Sequence, residues 1–147
     1  MLSGLKKTPI FIYFTTQEFS YSLKCPRISA APVVTRPPPS EYMAQQGETI
    51  IIECEAIGVP TPFIVWRLNW GHIGAPPRVS TKNEKVPDRS GGRRMVGLGT
   101  LTIRESRKEG EGAYTCEALN SRGSIFATPD VIVHVLRECS STLLHSR

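Results

Sequence analysis

An all-β chain folded as two packed sheets is the prediction, and three observations make it. The first is a pair of cysteines, Cys54 and Cys116, 62 residues apart. The second is an aromatic pair placed around them: Trp66 follows the first cysteine by 12 residues, and Tyr114 stands two places before the second. The third is alternation. Ile50, Ile52, Cys54 and Ala56 share one face of a strand whose other face carries Ile51, Glu53 and Glu55, the period-two pattern of a half-buried strand.

Cysteine, tryptophan and Tyr-x-Cys at these distances make the core of an immunoglobulin-type sandwich, in which a disulfide joins the two sheets, an indole packs on it and a tyrosine closes a corner. Cys54 and Cys116 are therefore the expected bridge, with Trp66, Tyr114 and Leu101 as its core companions. Closing a loop of that length restricts the unfolded chain by about 4 kcal/mol in the chain-entropy account. A bridge also points to an oxidising compartment. Cys25 and Cys139 flank the module, and both a mutual bridge and free thiols stay open for them.

Taken in order, residues 1–30 read as an unstructured extension. Lys6-Lys7 and the run Pro9–Phe14 start like a secretory leader, but the apolar stretch is short and Glu18 follows without a small-residue cleavage site. Residues 31–136 form the module. Pro32–Arg36 is a first strand at a sheet edge, stopped by Pro37, Pro38 and Pro39, which cannot donate to a ladder. Tyr42–Ala44 is a short segment ended by a turn at Gly47, and the Cys54 strand follows. Gly58–Pro62 is a turn by composition, and Phe63–Leu68 is a strand turning Ile64, Trp66 and Leu68 inward. From Gly71 to Gly99 prolines and glycines break the periodicity, which predicts mostly loop with a short edge strand near Val79. Thr100–Ile103 turns Leu101 and Ile103 inward, 105–111 is a polar corner, and Ala113–Asn120 carries Cys116. Asn120–Gly123 is a hairpin connection, and the last strand, interrupted at Pro129, alternates Val131, Val133 and Val135. Residues 137–147 are a tail without pattern.

Charge narrows the function. The chain carries +5 overall. Residues 31–136 hold 12 Lys and Arg against 11 Asp and Glu, so most of the excess sits in the flanks. A nucleic-acid partner requires a basic folded face, so none is expected. No run of about 18 apolar residues is present to span a bilayer. His72, His134 and His145 lack metal-ligand spacing. The glycine-rich stretch Gly91–Gly99 is neither a phosphate loop nor a dinucleotide fingerprint. No enzyme activity and no cofactor are expected.

One cluster is candidate binding chemistry. Arg78, Lys82, Lys85, Arg89, Arg93 and Arg94 lie within seventeen residues against Glu84 and Asp88 alone, a local +4. On a loop, such a cluster is suited to sulfated glycosaminoglycan or anionic lipid through long-range attraction, although most charge runs are only solvated. Trp70 shares strand parity with Trp66 and is expected to extend the core or cap the sheet end, the alternative being an exposed aromatic at a contact site.

The spacing Leu101-x-Ile103 through Gly112-x-Tyr114-x-Cys116-x-Ala118-x-Asn120-x-x-Gly123 resembles the I-set immunoglobulin modules of matrix and adhesion proteins. Gly58–Pro62, Trp66–Ile73, Gly112–Ala118 and Pro129-Asp130 resemble more closely those of the perlecan family of basement-membrane heparan sulfate proteoglycans. The resemblance covers about residues 32–135 and implies a secreted, extracellular matrix module: a spacer and contact surface for matrix or cell-surface proteins. A cell-surface adhesion or receptor module, and an intracellular muscle-type module whose cysteines stay thiols, are the alternatives. Two positions depart from the family. Gly110 stands where an aspartate usually pairs with an arginine, and Ser106 stands where an apolar side chain is usual. Glu109 and Glu111 are candidate substitutes for the missing charge. The resemblance thus implies a fold of lowered stability, and Gly110→Asp is expected to raise the melting temperature.

Overall fold

The computed structural model describes residues 28–73 and 78–137. They form ten strands in two sheets: β1 Ala30–Arg36, β2 Glu41–Gln45, β3 Ile50–Val59, β4 Phe63–Leu68, β5 Gly71–His72, β6 Val79–Pro87, β7 Met95–Ile103, β8 Gly112–Asn120, β9 Gly123–Phe126 and β10 Val131–Leu136. One sheet runs β1-β3-β7-β6; the other runs β2-β10-β8-β4-β5, with β9 also on β8. Cys25, Cys139, His145 and the leader-like run lie outside the described residues.

Alternation decides what faces inward. Ile50, Ile52, Cys54 and Ala56 of β3 are buried against Ile64 and Trp66 of β4, Leu101 and Ile103 of β7, Tyr114, Cys116 and Ala118 of β8, and the three valines of β10. Removing these apolar faces from water at roughly 25 cal/mol per Å2 is the main force holding the sheets together. The chain changes sheets early. β1 pairs antiparallel with β3, Pro37–Pro39 interrupt it, and β2 then pairs parallel with β10. Both β1 and β2 are edge strands, where a missing N–H costs least.

The stretch expected to be mostly loop is instead a long hairpin. β6 runs nine residues and pairs with β7 from Val79–Ile103 to Pro87–Met95, and β7 begins at Met95 rather than Thr100. Within β7 glycine marks tight packing, not a break. A Cβ on Gly99 would overlap the side chain of Ile64, and one on Gly97 would overlap the carbonyl of Pro62. Bare backbone at these two positions lets β7 lie close against the opposite sheet.

The tryptophan expected to extend the core also behaves otherwise. Asn69 and Trp70 have φ of 48° and 64°, the pair of positive values that a two-residue hairpin turn between β4 and β5 requires. That turn breaks strand parity, so Trp70 is 63% exposed, and its ring meets Phe126 edge-on at 5.6 Å.

Candidate functional site

Cys54 of β3 and Cys116 of β8 are joined in a disulfide, one cysteine from each sheet, with their Cα atoms 6.5 Å apart. Trp66 lies directly beside Cys116 in the β4–β8 register and is 3% exposed. Leu101 is fully buried opposite Ile52. The Tyr114 hydroxyl donates to the carbonyl of Gly110 at 2.8 Å, which fastens the 105–111 corner to β8. Burial pushes the Tyr114 phenol above its ordinary value of 10. These residues make a frame, and any function has to be read from the surfaces that the frame carries.

The six basic residues are not brought together. β6 is roughly 30 Å long at about 3.3 Å per residue, with Arg78 just before one end and Arg89 just past the other. Lys82 and Lys85 differ in parity and so point to opposite faces. Asn83, of the same parity as Lys85, reaches across to β4, accepting from Ile64 N at 2.7 Å and donating to Ile64 O at 2.8 Å. Lys82 is paired with Glu84 at 2.8 Å, and Arg89 approaches Glu55 at 3.8 Å. Only Arg89, Arg93 and Arg94 remain neighbours, at the hairpin turn. Asp88 shapes that turn by accepting from Ser90 N at 3.0 Å. This bond and the nearby Arg94 hold the Asp88 carboxyl below its ordinary range, so the turn contains one fixed negative charge among three arginines.

The two outer faces differ. On the four-stranded sheet Arg36 joins Glu53 at 2.7 Å and Glu55 at 2.8 Å. On the other, Arg67 donates to Glu117 at 2.8 Å in a partly buried pair, and Phe126, opposite Glu117 in the β8–β9 register, meets Trp70. At the corner the two departures become legible. Ser106 is buried, donating its hydroxyl to Gln45 O at 2.7 Å, while its backbone exchanges bonds with Glu48 and Gly47. A polar clasp thus replaces an apolar contact. Glu111 accepts from Lys108 Nζ and from Val135 N, at 2.8 and 2.7 Å, and both bonds hold its carboxyl below the ordinary range. Glu109 makes no ion pair within 4 Å among the described residues. Neither glutamate therefore joins an arginine.

A cavity of about 160 Å3 lies beside this corner, with Arg78, Arg104 and Arg107 at its mouth. It is not legible from the sequence because Arg104 and Arg107 lie outside the basic cluster, more than twenty residues along the chain from Arg78. Among the described residues no group of three or more His, Cys, Asp or Glu gathers in a way that could hold a metal ion.

A sequence profile of the immunoglobulin domain matches residues 31–120. The chain belongs to the immunoglobulin domain family. Over 105 residues, 71% of the chain, it is 48% identical to the mouse basement membrane-specific heparan sulfate proteoglycan core protein and 42% identical to the basement membrane proteoglycan of Caenorhabditis elegans. It spans about 2% and 3% of those proteins' lengths. It is also 33% identical over 106 residues, 72% of the chain and 8% of the relative, to the zebrafish neural cell adhesion molecule L1.1. A solved structure of the titin M4 domain superposes with a TM-score of 0.59 at 18% identity, covering 74% of this chain and 99% of that one; this likeness concerns the fold alone. The chain is thus a non-enzymatic immunoglobulin module, similar to modules of matrix and of cell-adhesion proteins. Among the described residues no helix is long and apolar enough to cross a membrane.

Proposed function

We propose that this module is an I-set domain of an extracellular matrix protein of the basement-membrane proteoglycan kind, acting as a rigid spacer and as a contact surface for matrix or cell-surface proteins. The observation that carries the reading is the 48% identity to the mouse proteoglycan, held across a stretch as long as the sandwich itself. The inter-sheet disulfide agrees with export, since such bridges persist in oxidising compartments. The mechanism is presentation: strands fixed by burial and a covalent brace hold exposed side chains in one arrangement, with no turnover. The test is to send the full chain through the secretory route of cultured cells, count free thiols at Cys54 and Cys116, and measure retention in deposited matrix. Bridged protein retained in matrix is expected. Alkylatable thiols at both positions point instead to the intracellular, muscle-type alternative, and bridged protein that stays only on cell surfaces points to the adhesion alternative.

A second reading concerns the hairpin turn. Arg89, Arg93 and Arg94 are all exposed on that one turn, a local field suited to sulfated glycosaminoglycan. Arg78, Lys82 and Lys85 do not share that surface. Replacing the three turn arginines with alanine is expected to remove heparin binding, and the wild-type affinity is expected to fall as salt rises. Binding that survives either change overturns the reading.

A further inference from the structure

The cavity beside the corner combines two chemistries. Its floor, buried or half-buried, is apolar: Leu68 comes from one sheet, Val79 and Ile103 from the other. Its mouth is basic, with half-buried Arg78 and exposed Arg104 and Arg107 around it. The first two are held together by a backbone bond from Arg104 N to Arg78 O of 2.8 Å. Arg36, Arg67 and Arg89 each have a carboxylate within 4 Å; among the described residues Arg78, Arg104 and Arg107 have none, and neither do Arg93, Arg94 and Arg122. Among the described residues Glu109 is the one carboxylate lining the cavity, against three guanidinium groups. Gly110 leaves space at the wall, since a Cβ there would meet nothing within 4 Å. The Tyr114 hydroxyl is already committed to the Gly110 carbonyl.

We propose that this cavity is a socket for one acidic side chain, glutamate or aspartate, presented by a protein partner; the proposal rests on the contact-module reading above and names what that module recognises. Size argues for a single side chain, because about 160 Å3 is well below the roughly 300–1,000 Å3 of sites for whole small molecules. Chemistry argues for a carboxylate on an aliphatic stem. A guanidinium donates two parallel bonds to a carboxylate, while the stem's methylenes cover the floor. A sulfated sugar would set hydroxyl groups against that floor without partners, which is costly.

The test is a 1H–15N NMR titration of the full-length chain with blocked glutamate (N-acetyl, N-methylamide), with the glutamine counterpart, and with inorganic sulfate. Blocked glutamate is expected to shift the amides of Val79, Ile103, Arg104 and Gly110, with the glutamine compound weaker by about five-fold or more, as loss of a charge-assisted pair requires. Arg104→Met is expected to weaken the response, and Gly110→Asp to abolish it by placing the chain's own carboxylate at the mouth. If one variant fails to fold, the other carries the test. Equal shifts from the glutamine compound, equally strong shifts of the same amides by sulfate, or shifts confined to the 88–94 turn each overturn the socket. A thiol count on the same sample reports separately on the module reading: bridged cysteines with a silent cavity remove the socket alone.

Discussion

The waist of the sandwich and its 104–111 end are built from the same two sheets by opposite means. At the waist a disulfide, a buried indole and two bare glycines bring the layers so close that one added methyl group would overlap Ile64. At the end the corner that leads from one sheet to the other is fastened to β8, β2 and β10 by hydrogen bonds: Tyr114 to Gly110, Ser106 to Gln45, and Val135 to Glu111. A cavity remains there, and Gly110 faces open space. The difference lies in how the two places are held, by close packing at one and by directional bonds at the other. Around Gly97 and Gly99 the packing leaves no room for even one methyl group, whereas a corner closed by directional bonds can keep a hollow because those bonds need no filled interior.

Substitutions can break or sharpen that contrast. The largest effect is expected from Cys54→Ala with Cys116→Ala, which should lower unfolding free energy by about 4 kcal/mol for a loop of this length. Urea melts read it, and a loss below about 1 kcal/mol would mean the brace is incidental. Next come two matched glycine changes. Gly99→Ala overfills the waist and should cost about 1–3 kcal/mol, while Gly110→Ala enters open space and should change stability by no more than about 1 kcal/mol, in the stabilising direction. Equal costs at the two positions would erase the contrast. Tyr114→Phe leaves the Gly110 carbonyl without its donor and should cost about 1–2 kcal/mol; a neutral result would show that the corner does not depend on that bond.

The smallest effect is a pH dependence. Glu111 is held below its ordinary value of 4.5 chiefly by Lys108 and by the Val135 N–H. A lowered carboxyl contributes stability that is present above its unfolded value and lost as pH falls through the folded one. Urea midpoints of the native chain should therefore decline as pH falls below about 4.5, and Glu111→Gln should flatten that decline. An identical acid-side slope in the variant would exclude Glu111 as its source.

Much of the frame was legible from residues. Period two on β3, β7 and β10 placed their buried faces correctly, because side-chain direction in a strand depends only on parity. The glycine-rich segment misled because a glycine signals missing bulk without saying why it is missing. Gly91 sits in the hairpin turn with φ of 82°, but Gly97 and Gly99 are paired strand residues pressed against the opposite sheet. Trp70 misled because one two-residue turn resets the parity that assigned it.

The sequence by itself determined the sandwich class, the sheet-joining cysteine pair and the inward faces, since each follows from spacing along one strand or from a covalent bond between two named residues. Only tertiary structure decided which charges are neighbours. It carried Arg78 away from Arg89, Arg93 and Arg94 along the length of β6, and placed it beside Arg104 and Arg107 from a distant turn. Coulomb attraction and cavity shape depend on distance in space, and strand pairing sets that distance without regard to position in the chain.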